Sequence, residues 1–124
     1  MRVPFAASSV GLARQTLRRW MSEHGSSREH IEDARVVISE LVANSVRHAQ
    51  PLPDGNILIT WTVERRGLRL SVSDGGSATR PRKLHTPSSA LAGRGMAIVE
   101  SLALSWSTER TRSRSTVHAV LSLG

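Results

Sequence analysis

The chain has 124 residues, which fits one domain around one hydrophobic core. It has no cysteine and no apolar run of membrane-spanning length, so disulfides, thiolate metal sites, cysteine nucleophiles and a membrane-spanning helix are excluded. The net charge of +7 favours acidic partners, which are nucleotide phosphates, an acidic protein face or nucleic acid.

Nucleic acid is the weakest of these three partners. The basic residues are scattered, apart from small clusters at 80–83 and 110–114, and they follow no single helix face. Three Trp and one Phe make a poor base-stacking surface, and no helix-turn-helix pattern is present. We therefore do not expect nucleic-acid binding. The first five residues do not form a signal peptide, and we expect a cytoplasmic protein.

The first half of the chain predicts two helices. Ser8 or Ser9 can cap a helix that ends near residues 21–24, and Gly25 is a plausible stop. Ser26, followed three residues later by Glu29, predicts a capping box for a second helix that runs to about residue 49. Apolar residues at helical spacing form the buried side of each helix. In the first helix they are Val10, Ala13, Leu17, Trp20 and Met21, and in the second Ile31, Ala34, Ile38, Leu41 and Val42.

The second half predicts two hairpins around a loop and a third helix. Residues 56–64 and 68–73 alternate between apolar and polar around a turn at 65–67. A loop with many Gly, Pro and Ser residues follows, and then an apolar helix at about 95–104. Residues 105–109 and 116–123 form the second hairpin. The grouping of strands and helices predicts one α+β domain, 1–124, with a mixed sheet and one helical layer.

The most distinctive motif lies in the second helix, at residues 40–48. Glu40, Asn44 and His48 are four residues apart, so they share one helical stripe, with Arg47 beside them. A solvated helix face would explain such a stripe. A hydrated metal–phosphate ligand would explain it too, because Asn can ligate a hard cation and Glu can take a water proton.

Three further motifs follow in order along the chain. Asp74 ends a strand and precedes two glycines. A carboxylate there can accept a hydrogen bond from an exocyclic amine of a ligand, but Asp-Gly is also a common turn dipeptide. The segment 93–96 places glycines before an apolar helix, where backbone N–H groups can bind phosphate. A flexible loop that ends at a helix start would show the same glycine pattern. Thr116 begins the last strand, where a hydroxyl could bind a base through water.

These four motifs together resemble the GHKL (Bergerat-fold) ATP-binding domains, and among them the stand-alone anti-sigma factor serine/threonine kinases. The segment 40–48 is similar to the N-box, 74–76 to the G1 box and 93–96 to the G2 box, and the resemblance covers about residues 5–123. It implies a two-layer α/β sandwich with a mixed, mostly antiparallel sheet, one layer of helices and an ATP lid at about 75–95.

The resemblance also implies a role for each matching residue. Asn44 matches the Mg²⁺ ligand and Glu40 the general base, while Arg47 and His48 match basic N-box residues. Asp74 matches the residue that reads the adenine amine, and Gly76 lets the base approach. The remaining cofactor-binding positions are the phosphate cradle and the water-mediated adenine contact, namely Gly93, Arg94, Gly95, Met96 and Thr116. The implied cofactors are ATP and Mg²⁺.

The chain departs from the family pattern in its last hairpin. Ser115 replaces the usual Gly before Thr116, which would crowd the base edge. The segment 109–115 is rich in Arg and lacks the usual glycines. Neither change removes a predicted liganding group. These 124 residues show no phosphoacceptor-His domain, and we therefore do not expect a self-contained sensor histidine kinase.

Two functions remain open at this point. The first is an anti-sigma-type kinase that transfers the ATP γ-phosphoryl to a Ser or Thr of a regulatory partner, which would be a sigma factor, an anti-sigma antagonist or both. The second is a non-catalytic module that uses ATP only to control protein binding. The family often dimerises, so a homodimer through the first helix is a further expectation. Leu17 and Trp20 of that helix are equally suited to the core.

Overall fold

The computed structural model describes residues 1–76 and 96–123. Within these ranges it contains three helices and five strands. In chain order they are β1 (Arg2–Pro4), α1 (Ser9–Glu23), α2 (Arg28–His48), β2 (Asn56–Val63), β3 (Leu68–Asp74), α3 (96–102), β4 (Ser105–Arg110) and β5 (Ser115–Leu121). The predicted α+β class is confirmed, and α3 falls inside the predicted third helix.

The strands form one sheet in the order β1-β2-β3-β5-β4, and both predicted hairpins, β2–β3 and β4–β5, are present. Every pair among these strands is antiparallel, so the expectation of a mixed sheet was wrong in that detail. Strand β1 was not predicted. It has only three residues and includes Pro4, and such a segment carries no readable alternation.

The helices cover one face of the sheet. Helix α2 packs on β3 and β5, and α1 packs on α2 and β1. Fully buried side chains from both layers make one core, and full burial of such a side chain stabilises the fold by roughly 1.5–3 kcal/mol. The largest of them are Leu17, Met21, Ile38, Leu41, Ile57, Ile59, Leu68 and Leu70. Because Leu17 is in this core, it is not free to form a dimer surface.

The end of α1 follows the predicted pattern. Gly25 has a φ of +77°, a conformation that favours glycine. Its N–H donates to the Ser22 carbonyl, and the Ser26 N–H donates to the Met21 carbonyl. These two bonds form a Schellman motif, which satisfies carbonyls at the end of the helix. The side chain of the N-cap residue, Ser8, makes no capping bond at the other end of α1.

The start of α2 lies one residue later than the capping-box pattern predicted. Ser27, not Ser26, is the N-cap, and its Oγ accepts a hydrogen bond of 3.2 Å from the His30 N–H. His30 Nδ1 also lies 2.5 Å from the same oxygen. Only Ser26 has Glu three residues later, whereas Ser27 has His30, so the capping-box pattern favoured the wrong serine. The backbone bonds after Gly25 use Ser26 to close α1, which leaves Ser27 as the N-cap of α2.

The second face of the sheet carries polar side chains. Cross-strand partners share a face, and successive residues of a strand alternate between faces. On this outer face, Ser73 Oγ lies 2.7 Å from Thr116 Oγ1, and Ser71 Oγ lies 2.7 Å from His118 Nδ1. His118 Nε2 in turn lies 2.7 Å from Glu109 Oε1. Side-chain hydrogen bonds therefore join β3, β5 and β4 on the side away from the helices.

Candidate functional site

The centre of the site is the carboxylate of Asp74, at the end of β3. This side chain is only 7 % exposed, and each of its oxygens has a hydrogen-bond donor. Oδ2 accepts from the Ser45 hydroxyl at 2.6 Å, and Oδ1 accepts from the Gly76 N–H at 2.8 Å. A buried carboxylate must be hydrogen-bonded, and these two donors fix its orientation against α2.

Helix α2 supplies the first donor because Ser45 lies on its buried side. Ser45 comes four residues after Leu41 and seven after Ile38, and all three are buried. A hydroxyl at a core position of an amphipathic helix needs a partner, and Asp74 is that partner. Sequence reasoning missed Ser45. Its position in the sequence could have revealed it, because Ser45 is a polar residue within the apolar stripe of α2, next to Asn44.

The two glycines after Asp74, Gly75 and Gly76, are required for different reasons, one for space and the other for its backbone conformation. A Cβ on Gly75 would lie 2.1 Å from the Pro51 carbonyl oxygen, so no other residue fits there. Gly76 has a φ of +86°, and no atom of the described residues lies within 4 Å of the position that its Cβ would take. The Gly76 N–H holds Asp74, and its positive φ is the conformation that this bond requires, which favours glycine.

The chain that leaves α2 is tied to the same glycines. The Gly75 N–H donates to the Gln50 carbonyl at 2.7 Å, and the Gln50 N–H donates to the Gly76 carbonyl at 2.9 Å. This reciprocal pair joins the end of α2 to the end of β3. Together with the Ser45–Asp74 bond, it holds the last turns of α2 beside the rim of the sheet.

The predicted stripe lies on these last turns of α2. Glu40 and Asn44 are half-buried, while Arg47 and His48 are exposed. Asn44 directly precedes Ser45, so the stripe is next to the Asp74 site on the helix surface. The structure thus brings the Glu40–Asn44 turn and Asp74 to the same end of the fold. The exposed Arg47 and His48 are free to meet a charged ligand or solvent.

The one predicted hydroxyl, that of Thr116, does not contact Asp74. Thr116 pairs with Ser73, and the hydrogen bond between their side chains places it on the outer face. Asp74 faces the helices. The apolar residues Val117, Ala119 and Leu121 alternate along β5 toward the core, so this alternation already placed Thr116 on the opposite face. The direct cross-strand partner of Asp74 is the half-buried Ser115.

The glycine-rich cradle was predicted at residues 93–96. Gly93, Arg94 and Gly95 lie outside the described residues, as does the rest of the predicted lid beyond Gly76. Met96 is the first described residue of α3, and it is half-buried against the hydrophobic core. Val99 of the same helix is fully buried.

Comparison with known proteins places this geometry in a family. The sequence profile of the histidine kinase-like ATPase domain matches residues 3–121. Serine-protein kinase RsbW from two Staphylococcus aureus strains, bovine RF122 / ET3-1 and Newman, is 36% identical over 80 residues. That match covers 63% of this chain and 50% of each kinase, so the chain spans about half the length of these relatives.

A solved structure supports the fold. The Acinetobacter baumannii histidine kinase AdeS matches with a TM-score of 0.55 and 17% sequence identity, over 76% of this chain and 47% of that one. At this identity the likeness concerns the fold alone. No helix in the described ranges is long and apolar enough to cross a membrane. The profile match over nearly the whole length decides the assignment: the chain belongs to the histidine kinase-like ATPase domain family.

Proposed function

We propose that this chain binds Mg·ATP and transfers the γ-phosphoryl group to a Ser or Thr of a regulatory partner protein. The observation that carries the proposal is the buried Asp74 carboxylate at the end of β3, held by the Ser45 hydroxyl and the Gly76 N–H. A carboxylate accepts hydrogen bonds only, so a ligand that reaches it must present a donor such as the exocyclic amine of adenine.

The residues present fit Mg²⁺ as the metal. Among the described residues, no group of three or more His, Cys, Asp or Glu side chains could hold a metal. Mg²⁺ does not need one, because it keeps several waters and binds through one or two protein oxygens and the substrate phosphates. The half-buried carboxamide of Asn44 can supply such an oxygen. When bound, the ion would neutralise phosphate charge during transfer.

Glu40 would orient the acceptor hydroxyl and take its proton as the γ-phosphoryl leaves ATP. It is half-buried, one helical turn before Asn44, so both side chains project from the same side of α2. Arg47 and His48, with Gly93, Arg94, Gly95 and the Met96 N–H, would meet the phosphates. Phosphoryl transfer depends mainly on positioning and on electrostatic stabilisation, which these groups can supply.

The second candidate is an ATP-dependent protein-binding module without catalysis. One observation favours it: within residues 1–76 and 96–123, no hydrogen bond or ion pair orients the Glu40 carboxylate. A general base is normally held in place by a neighbouring group, although contacts often tighten only when the substrate binds. Activity of a Glu40 variant separates the two candidates.

The partner would be a sigma factor, an anti-sigma antagonist or both, in the cytoplasm. This part of the proposal rests on the resemblance to anti-sigma factor kinases and on the similarity to enzymes named serine-protein kinase RsbW. A pull-down with and without ATP, followed by mass spectrometry for phosphoserine and phosphothreonine, identifies the partner. A homodimer through α1 would use the exposed Leu12, and light scattering of the pure protein measures it.

The decisive test of ATP binding is calorimetry on the Asp74→Asn variant. This change keeps the size of the side chain but replaces one acceptor oxygen with a donor, so the match to an adenine amine is lost. We expect at least a tenfold weaker affinity for ATP, which is about 1.4 kcal/mol. Unchanged ATP affinity in Asp74→Asn and in Asn44→Ala, with both variants folded, would refute the proposal.

A further inference from the structure

Strand β4 is an open edge of the sheet. The order β1-β2-β3-β5-β4 puts β1 and β4 at the two edges, and within residues 1–76 and 96–123 no strand pairs with the outward side of either. Proteins usually protect such edges with very short strands, Pro residues or inward-pointing charges. Strand β1 is protected in this way, because it has only three residues and ends at Pro4. Strand β4 has six residues and no Pro, so its backbone can accept another strand.

The register of the β4–β5 hairpin shows which backbone groups of β4 are available to a further strand. The Thr111 N–H donates to the Arg114 carbonyl at 2.8 Å, and this pair continues the β4–β5 register by one step. Hydrogen-bonded and non-hydrogen-bonded pairs alternate along an antiparallel ladder. Every second residue of β4 is therefore bonded to β5. The N–H and C=O groups of the others, Trp106, Thr108 and Arg110, point toward the open edge.

The side chains of these three residues share one face of the sheet. Trp106 is the cross-strand partner of Ala119, which belongs to the core, so Trp106, Thr108 and Arg110 project on the helix side. All three are exposed, and Trp106 is 38 % exposed. Trp is the kind of residue that anchors protein interfaces, because its ring buries a large apolar area. A strand that pairs with β4 would cover this ring.

The far end of β4 carries a cluster of positive charge, formed by Arg110, Arg112 and Arg114. Among the residues that the structure describes, none of these three guanidinium groups forms an ion pair. The neighbouring Glu109 does not neutralise them, because its carboxylate lies on the outer face, 2.7 Å from His118 Nε2. A strand that pairs with β4 therefore meets an exposed aromatic ring at one end and uncompensated positive charge at the other.

We propose that β4 is a docking edge for an extended acidic segment of a partner protein, which adds to the sheet as an antiparallel strand. Antiparallel addition continues a sheet in which every described pair is antiparallel. In this orientation the residue opposite Arg110 precedes the residue opposite Trp106, with three residues between them. The first of the two is acidic and the second is apolar. The residues before the acidic one continue toward Arg112.

The test is fluorescence anisotropy, in which the full chain is titrated into the fluorescein-labelled peptide Asp-Thr-Glu-Thr-Val-Thr-Ile-Ser. Its Glu is designed to lie opposite Arg110, its Val opposite Thr108 and its Ile opposite Trp106. An N-methyl group on the Val removes a hydrogen bond to β4, whereas one on the following Thr points away from β4. We expect the first N-methyl peptide to bind about tenfold more weakly than the parent and the second to bind within about threefold of it.

Protein variants test the same contacts from the other side. Arg110→Glu should weaken binding about tenfold, whereas Arg14→Glu, the same charge change on the exposed side of α1, should alter it less than about twofold. Trp106→Ala should weaken binding about fivefold or more. Thr108→Pro should abolish binding and leave the fold intact, because the lost N–H faces the open edge, where Pro is tolerated. Circular dichroism compares the folds of the variants.

Several results would overturn the proposal. Equal effects of the two N-methyl groups would show that no strand forms on β4. Equal effects of Arg110→Glu and Arg14→Glu, or equal binding of a peptide with Lys in place of both acids, would show that the net charge or nothing specific decides. Absence of binding by the acidic peptide would end it outright. The N-methyl comparison uses the unaltered protein, so it decides even where Thr108→Pro fails to fold.

Discussion

The Ser45 hydroxyl donates a hydrogen bond of 2.6 Å to Oδ2 of Asp74, and this contact joins α2 to β3 inside the molecule. Ser45 is 4 % exposed and Asp74 is 7 % exposed, so water does not readily replace either partner. One short side chain thus orients the proposed base-reading carboxylate and connects the helical layer to the sheet.

Ser45→Ala should lower the free energy of unfolding by about 1–3 kcal/mol, because it leaves a buried carboxylate oxygen without its donor. Urea denaturation measures the change. Ser39→Ala is the matched control: its Oγ donates to the Arg35 carbonyl within the same helix, so the change should stay within about 0.5 kcal/mol. Equal effects of the two substitutions would show that Ser45 does not support Asp74.

Gly75→Ala should destabilise the fold more than Gly76→Ala. At Gly75 a Cβ would lie 2.1 Å from the Pro51 carbonyl oxygen, so the paired backbone bonds to Gln50 must break or shift. At Gly76 no described residue lies within 4 Å of the Cβ position, so we expect only the cost of the positive φ, about 1–2 kcal/mol. Thermal unfolding compares the two variants with Gly11→Ala in α1, where alanine should stabilise the helix by roughly 0.5–1 kcal/mol.

Glu40→Gln should stop phosphoryl transfer to the partner and leave ATP affinity within about twofold, because the variant keeps the shape but cannot take a proton. The measurements are phosphorylation of the captured partner and calorimetry with ATP. Glu32→Gln, which breaks an exposed ion pair with Arg35 on the same helix, is the control. Undiminished transfer in Glu40→Gln would favour the non-catalytic module or another base.

Removal of Mg²⁺ with EDTA should weaken ATP binding to the wild type by about tenfold, within the usual range of coupling between two ligands. In Asn44→Ala the affinity should already be low and should respond much less to EDTA, because the protein ligand of the metal is gone. Asn56→Ala, in β2, should behave like the wild type. The same response to EDTA in Asn44→Ala would place the metal elsewhere.

Apolar periodicity was enough to predict most of the elements, because the buried side of each helix and of each hairpin is continuous in sequence. It failed for β1, whose three residues gain their place only by pairing with β2. The capping-box pattern, for its part, pointed to Ser26 because of Glu29, whereas Ser26 closes α1 and Ser27 caps α2.

The site was predicted less completely than the fold. Asp74 lies at the end of a strand, as expected, and the segment 40–48 lies beside it. The residue of that segment that contacts Asp74 is Ser45, which was not among the predicted site residues. Thr116 was assigned from its place in the family pattern, although the alternation of Val117, Ala119 and Leu121 along β5 already put it on the other face. The Ser45–Asp74 contact depends on how α2 packs on β3, and local sequence does not contain such a contact.

The outer face of β2 offers a position for a fluorescent label that is away from the proposed nucleotide site. Thr60 is exposed, and it lies on the outer face beside its cross-strand partner Ser71, away from α2 and Asp74. The chain contains no cysteine, so Thr60→Cys would introduce a single thiol. A fluorophore attached there would follow partner association by anisotropy without entering the proposed nucleotide site, and no other position of the chain would compete for the label.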